Sequence, residues 1–255
     1  MPRVVDRLHE RKSPGLREIR CDACVRVVAA HPARRAMVAV EMKIGILGSG
    51  LMGAKLGAIW ARAGHEVAFS YSRDPRKLEQ LANDAGTRAR AATPRDAVAD
   101  ADAVLVAVNW PQLDDVLAQA GDLAGKVVVT CALPMVNEQL AHAHTWSGAE
   151  ELAQRLATSH VVAAFGTVPS ECLFGVYEAR DSSPRPSLIY YGDDAAAKHV
   201  ATQLIADAGF DPIDLGPLRT ARYAEPFTLL VGQLAYDGPN GPAVAYRFEW
   251  LEQRR

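Results

Sequence analysis

From residue 42 onward, short runs of consecutive apolar residues alternate with longer stretches whose apolar positions recur every three to four residues. The short runs read as strands at 43–47, 66–70, 103–108, 126–130 and 161–164, with a weaker one at 88–91. A strand that stays apolar at successive positions must be buried on both faces, which is the situation of parallel strands covered by helices. The periodic stretches predict those helices at 51–63, 75–85, 94–99 and 112–120. The expected fold class is therefore α/β, a doubly wound parallel sheet. Beyond residue 170 the pattern predicts a strand at 187–191, a helix at 194–208, a strand at 211–215 and a long helix at 218–236. Pro226 falls inside that last helix and should kink or break it, since proline has no N–H to donate. The Gly- and Pro-rich turn at 238–242 predicts that the tail, with Tyr246, Phe248 and Trp250, folds back on the body. The expected division is a large domain at 42–169 and a smaller α/β unit at 170–255.

Residues 1–41 differ in kind. They hold nine Lys/Arg against five Asp/Glu, whereas the whole 255-residue chain has 28 against 30. They show no sustained period, and the strand pattern starts directly after Met42. The segment reads as a basic extension, either a disordered arm or a stretch lying upstream of the native start. The composition, 49% hydrophobic with a net charge of −2, is that of a globular chain with ample sequence for a core. No apolar run approaches the roughly 18–20 residues of a bilayer-spanning helix, so the expected location is cytoplasmic with no membrane partner. Nothing resembles a nucleic-acid-binding module. Four cysteines, at 21, 24, 131 and 172, do not form a disulfide framework. Cys21 and Cys24 are half a metal site, with only His31 following, and His142 and His144 have no carboxylate or thiol beside them in sequence; no metal is expected.

Candidate chemistry starts where the first strand ends. Gly48-Ser49-Gly50-Leu51-Met52-Gly53 is a G-x-G-x-x-G motif between a predicted strand and a predicted helix, the context in which this pattern marks a dinucleotide-binding Rossmann turn. Gly48 allows the tight turn, Gly50 lets backbone approach a pyrophosphate, and Gly53 lets helix and strand pack closely. The free N–H groups of the following helix then face the phosphates. The end of the second strand selects between dinucleotides. An acidic residue there would hold a ribose 2′-hydroxyl, but the chain reads Tyr71-Ser72-Arg73-Asp74-Pro75-Arg76-Lys77. Ser72, Arg73 and Lys77 suit a 2′-phosphate, with Arg73 as a planar fork and Lys77 as a nearby point charge. Asp74 before Pro75 reads as a helix N-cap. The expected cofactor is NADP(H).

These residues also resemble a family. The glycine turn, Ser72-Arg73-Asp74-Pro75, Ser147-Gly148-Ala149-Glu150-Glu151-Leu152, residues 161–169, Gly192-Asp193-Asp194 and the segment from Gly216-Pro217-Leu218-Arg219 to Pro226 run in the order seen in NADP-dependent reductases of coenzyme F420. The resemblance spans residues 42 to about 251. It implies a hydride passed between NADPH and an 8-hydroxy-5-deazaflavin, coenzyme F420, as co-substrate, and a homodimer with the acceptor in a cleft between the two units. It maps Ser72, Arg73 and Lys77 onto the 2′-phosphate contacts. It maps Asn109-Trp110-Pro111 and Thr167-Val168-Pro169 onto the walls where nicotinamide and deazaflavin stack. One position departs: several deazaflavin-using members have histidine where this chain has Gly166.

Direct hydride transfer needs two rings held at about 3–3.5 Å between reacting atoms and shielded from water, so positioning residues suffice and no catalytic acid or base is expected. Pro111, Pro134 beside Leu133 and Met135, and Thr167, Val168 and Pro169 are the candidate positioning residues, although each also reads as ordinary loop packing. Cys131 and Cys172 read as buried thiols without a neighbouring base. Two rival functions stand beside the deazaflavin reductase. One is an NADPH-dependent reductase of an ordinary flavin or of a small carbonyl or imine. Enzymes of that second kind carry a long helical second domain, whereas only about 85 residues follow the large domain here. The other is a non-catalytic NADPH-binding sensor.

Overall fold

A computed structural model describes residues 40–137, 139–141 and 144–251. Eight strands run in chain order: β1 (Lys43–Leu47), β2 (Glu66–Ser70), β3 (Ala89–Ala91), β4 (Ala103–Val106), β5 (Val127–Thr130), β6 (His160–Ala163), β7 (Ser187–Gly192) and β8 (Asp211–Asp214). They form one sheet in the order β8-β7-β6-β5-β4-β1-β2-β3. Neighbours are parallel except β6 and β7, whose Val162 and Ala163 pair antiparallel with Gly192 and Tyr191. The doubly wound α/β reading holds. Eight helices cover it: α1 (Leu51–Arg62), α2 (Pro75–Ala85), α3 (Pro94–Ala99), α4 (Leu113–Ala120), α5 (Gly148–Arg155), α6 (Leu173–Glu178), α7 (Ala195–Asp207) and α8 (Ala221–Gly232).

The continuous apolar runs have the predicted cause. Along β4, Ala103 and Leu105 enter one core while Val104 and Val106 enter the other, and β6 and β7 alternate in the same way. Successive side chains point to opposite faces, so both faces are roofed. The first core takes Leu56, Ile59 and Trp60 of α1 and Leu204 and Ile205 of α7. The second takes Leu113 and Val116 of α4, Leu152 of α5 and Ala224 of α8. Helix starts follow local chemistry. Asp74 accepts the N–H of Arg76 ahead of Pro75, and Thr93 accepts that of Asp96 ahead of Pro94. Asp194 accepts that of Ala197 at the start of α7.

The structure departs from the sequence reading in three places. The boundary at 169/170 is not a domain boundary, because β7 bonds directly to β6 and residues 40–250 lie in one compact unit. The long C-terminal helix is instead a 3₁₀ turn at Leu218–Thr220, the helix α8, and a π-helical turn at Gln233–Asp237. Its break comes after Gly232, not at Pro226, which sits within a continuous helix. Two short helices and a hairpin, α5, α6 and Met135–Val136 with Gln139–Leu140, have no counterpart in the pattern reading. Each is too short to show a period. The tail returns as expected: the Ser187 N–H donates to the Tyr246 carbonyl at 2.8 Å. The 1–41 extension, Cys21, Cys24 and His31, lies outside the described residues apart from its last two positions, and His142 lies outside them too. No helix among the described residues is long and apolar enough to cross a membrane.

Candidate functional site

All the sequence-selected positions fall at the carboxyl edge of the parallel strands, where doubly wound sheets bind ligands. The loops there touch one another in strand order. The Ala107 N–H donates to the Leu47 carbonyl at 2.9 Å, and the Cys131 N–H to the Val106 carbonyl at 3.2 Å. A Cβ added to Gly166 would lie 3.4 Å from the Cys131 carbonyl oxygen, which sets the β6 loop beside the β5 loop.

The glycine turn has the shape of a phosphate cradle. Gly48 has φ +121°, and a Cβ there would lie 2.3 Å from the Ala107 carbonyl oxygen. A Cβ on Gly53 would lie 1.9 Å from the Gly48 carbonyl oxygen. Gly50, in contrast, faces open space and is the N-cap of α1 without any side-chain cap. The first N–H groups of a helix have no partner within it, so those of Leu51, Met52 and Gly53 are offered to whatever occupies that space. Leu51 is 68% exposed. Ser49 is buried and serves the turn itself, giving its N–H and hydroxyl to the Tyr71 carbonyl. Gly57 adds a support that the motif does not contain, since α1 passes so close to β2 that a Cβ would meet the Phe69 ring at 2.3 Å.

At the tip of β2 the charges sort themselves. Asp74 is consumed as the α2 cap and as the partner of Arg76 at 3.3 Å. Ser72 accepts the Asp74 N–H, and its hydroxyl proton makes no hydrogen bond to another described residue. Arg73 and Lys77 are exposed and have no hydrogen-bond or ion-pair partner among the described residues. A carboxylate available to a ribose 2′-hydroxyl is missing from this tip, and two free cations are present.

The expected ring walls are less open. Asn109 and Pro111 are exposed, but Trp110 is half-buried against the second core with the Arg155 guanidinium 5.8 Å from its ring centre. Pro134 is buried where Gly148 packs, with only 2.7 Å between Pro134 Cδ and a Cβ placed on that glycine. Thr167 is 3% exposed, and its hydroxyl meets the Tyr246 hydroxyl at 2.7 Å. Val168 is in the first core, and Pro169 is buried. Thr167 thus lies against the returned tail and Val168 and Pro169 are buried after it, while Leu133 and Gly166 are half-exposed. Sequence reasoning left Tyr246 without a site role. Its ring packs edge-on against Phe227 at 5.3 Å and Phe248 at 5.4 Å, and burial raises the pKa of its phenol.

Residues of the 147–152 and 216–226 segments form a clasp. The buried Glu225 of α8 accepts the N–H groups of Gly148 and Ala149, both at 3.0 Å, and so caps α5. Glu150 bonds Ser147 and takes a two-pronged contact from Arg222, whose nearest nitrogen is 2.7 Å away. Arg222 holds the Glu150 carboxyl below its ordinary pKa. Burial pushes the Cys131 thiol up to about 12 and that of Cys172 up to about 11, which favours the protonated thiol at neutral pH in both.

Residues 43–134 match the family model for NADP oxidoreductase, coenzyme F420-dependent. Among solved structures, a candidate F420-dependent NADP-reductase from Arthrobacter sp. FB24 is 27% identical with a TM-score of 0.72, covering 82% of this chain and 100% of its own. A reductive aminase from Aspergillus terreus, solved with NADPH and ethyl-5-oxohexanoate, is 18% identical with a TM-score of 0.57 over 76% of this chain and 61% of its own, a likeness of fold. Among curated proteins, the metalloreductase STEAP3 of Rattus norvegicus is 30% identical over 187 residues, or 73% of this chain. The chain spans only 36% of that relative's length. The glycine cradle and the cationic tip of β2 both lie within residues 43–134, the part of the chain that matches the NADP oxidoreductase, coenzyme F420-dependent, family model.

Proposed function

We propose that this chain is an oxidoreductase that passes a hydride directly between NADP(H) and a deazaflavin, coenzyme F420. The observation that carries the donor is the β2 tip, where Asp74 is spent on a helix cap while Arg73 and Lys77, beside Ser72, have no ion-pair partner among the described residues. Bound NADPH would supply the hydride from its nicotinamide. The chain would contribute the α1 N–H groups and Gly50 for the pyrophosphate, and Ser72, Arg73 and Lys77 for the 2′-phosphate. Asn109 and Pro111, after β4, and Leu133 and Gly166, after β5 and β6, would border the nicotinamide and the acceptor. With both thiols favouring the protonated form, the work assigned to the protein in this reading is placement and exclusion of water.

The acceptor rests on the family name and on the resemblance. Gly166 stands where several relatives place histidine, so the acceptor assay is the deciding one. The purified chain is mixed with NADPH and coenzyme F420, then with FMN, FAD and riboflavin, and absorbance of the reduced nicotinamide is followed. Oxidation by F420 is the expected result. Turnover with flavins alone would move the assignment to a flavin reductase, and tight NADPH binding without turnover to a sensor.

A homodimer is part of the same proposal. Tyr223, Leu229, Leu230, Leu234 and Tyr236 are exposed large apolar side chains on α8 and the turn after it. Arg222 and Glu225 are held on the α5 side, so this face presents no charge from its own helix, and a like face of a second copy suits it. Sedimentation at twice the chain mass is expected, and Leu230→Asp should give the monomer.

A further inference from the structure

Tyr71 is an unusual residue in an informative place. It follows β2 directly, between the buried Ser70 and the exposed Arg73, and its φ is +61°, a left-handed conformation that a bulky side chain adopts only when its surroundings impose it. Three contacts impose it. Ser49 of the glycine turn donates its N–H at 3.4 Å and its hydroxyl at 3.1 Å to the Tyr71 carbonyl. The Tyr71 hydroxyl donates to Asp115 Oδ2 on α4 at 2.7 Å, and Gln119 Nε2 holds the same oxygen at 2.9 Å. The ring itself packs against the second core. Since β1 lies between β4 and β2 in the sheet, the side chain reaches from the β2 tip past the end of β1 to the first turn of the helix after β4. One residue therefore ties together the three loops that surround the adenosine end of the groove.

We propose that Tyr71 is the positioning residue for dinucleotide selection: its hydroxyl tether to Asp115 and its left-handed backbone turn Ser72 and Arg73 toward the ribose 2′-phosphate. An ordinary extended residue at 71 would continue the direction of β2 and carry the next two side chains elsewhere. Glycine would adopt the same φ without strain but would have no tether, leaving the tip free to rotate. Burial and Asp115 raise the pKa of this hydroxyl to about 12, so it retains its donor proton at neutral pH.

This inference rests on the NADP(H) reading above, and one experiment separates the two. Binding of NADPH and of NADH to the full chain is titrated through the fluorescence of the reduced nicotinamide, for the wild type, Tyr71→Phe, Asp115→Ala and Tyr71→Gly. The wild type should prefer NADPH. In Tyr71→Phe, which keeps the ring, and in Asp115→Ala, which keeps the tyrosine, the NADPH-to-NADH affinity ratio should fall at least five-fold. Tyr71→Gly should lose as much or more. A general loss of structure lowers both affinities and leaves their ratio alone, so the ratio reports placement of the 2′-phosphate contacts. If the wild type prefers NADPH and all three variants keep its ratio, Tyr71 has no positioning role although the donor assignment survives. If the wild type shows no preference, the donor assignment fails and this inference goes with it.

Discussion

Arg73 is the residue on which the proposed choice of dinucleotide turns. Its guanidinium is exposed and has no hydrogen-bond or ion-pair partner among the described residues, so a 2′-phosphate would gain a charge-assisted, two-pronged contact without breaking an ion pair seen there. Arg73→Ala should weaken NADPH binding by about 1.5–3 kcal/mol while NADH binding hardly changes. Equal losses for both in a binding titration would count against the 2′-phosphate role. Ser72, Arg73 and Lys77 were legible in sequence because motif and strand end fix their distance from the glycines. Tyr71 was not, since nothing in the spacing shows a positive φ or a partner 44 positions away. Gly57 is similar, because its need for a missing Cβ exists only once Phe69 lies across from it. Gly57→Ala should cost about 1–3 kcal/mol by overpacking, read as a lower denaturation midpoint. An unchanged midpoint would mean that the ring can simply shift.

Among the elements, the clasp between α5 and α8 is where sequence similarity and local pattern gave different information. The Ser147–Leu152 and Leu218–Pro226 segments carry much of the resemblance read from the sequence, and their side chains Ser147, Glu150, Arg222 and Glu225 cap and pair two helices. Helix α5 is short, and the carboxylate at its N-terminus comes from Glu225, far along the chain. A buried carboxylate accepting two N–H groups is held by bonds to charge, so Glu225→Ala should cost about 2–4 kcal/mol, measured by denaturant unfolding. The Arg222–Glu150 pair predicts a pH dependence. The folded-state pKa of Glu150 lies below its unfolded value, so its stabilisation is present above the ordinary carboxylate range and is lost as pH falls through the folded value. The stability difference between wild type and Glu150→Gln should therefore shrink on acidification from neutral pH. A difference that stays constant or grows would contradict the pairing. Pro226 shows the converse limit: local chemistry forecast a kink there, but packing carries α8 through it to Gly232.

In the molecule as a whole, the two cores and the order of the strands set what faces the site. The antiparallel pairing of β7 on β6 adds two strands to the sheet and brings the tail back over the β6 loop, so that Tyr246 closes on Thr167. Tyr246→Phe should leave the first core intact and free the Thr167 hydroxyl, changing KM for the acceptor more than KM for NADPH; a change confined to the NADPH KM would place the tail at the donor end. The sequence by itself determined the parallel core strands, the glycine cradle and the cationic β2 tip. These depend on side-chain alternation, on backbone freedom and on neighbours a few residues apart, all written in local order. Only tertiary structure decided that 170–250 completes the same sheet, that Thr167 meets the returned tail, that Glu225 serves α5, and that Tyr71 is strained and tethered. Each of those depends on a contact between residues distant in the chain, and such contacts exist only after the strands have found their edges and the helices their faces.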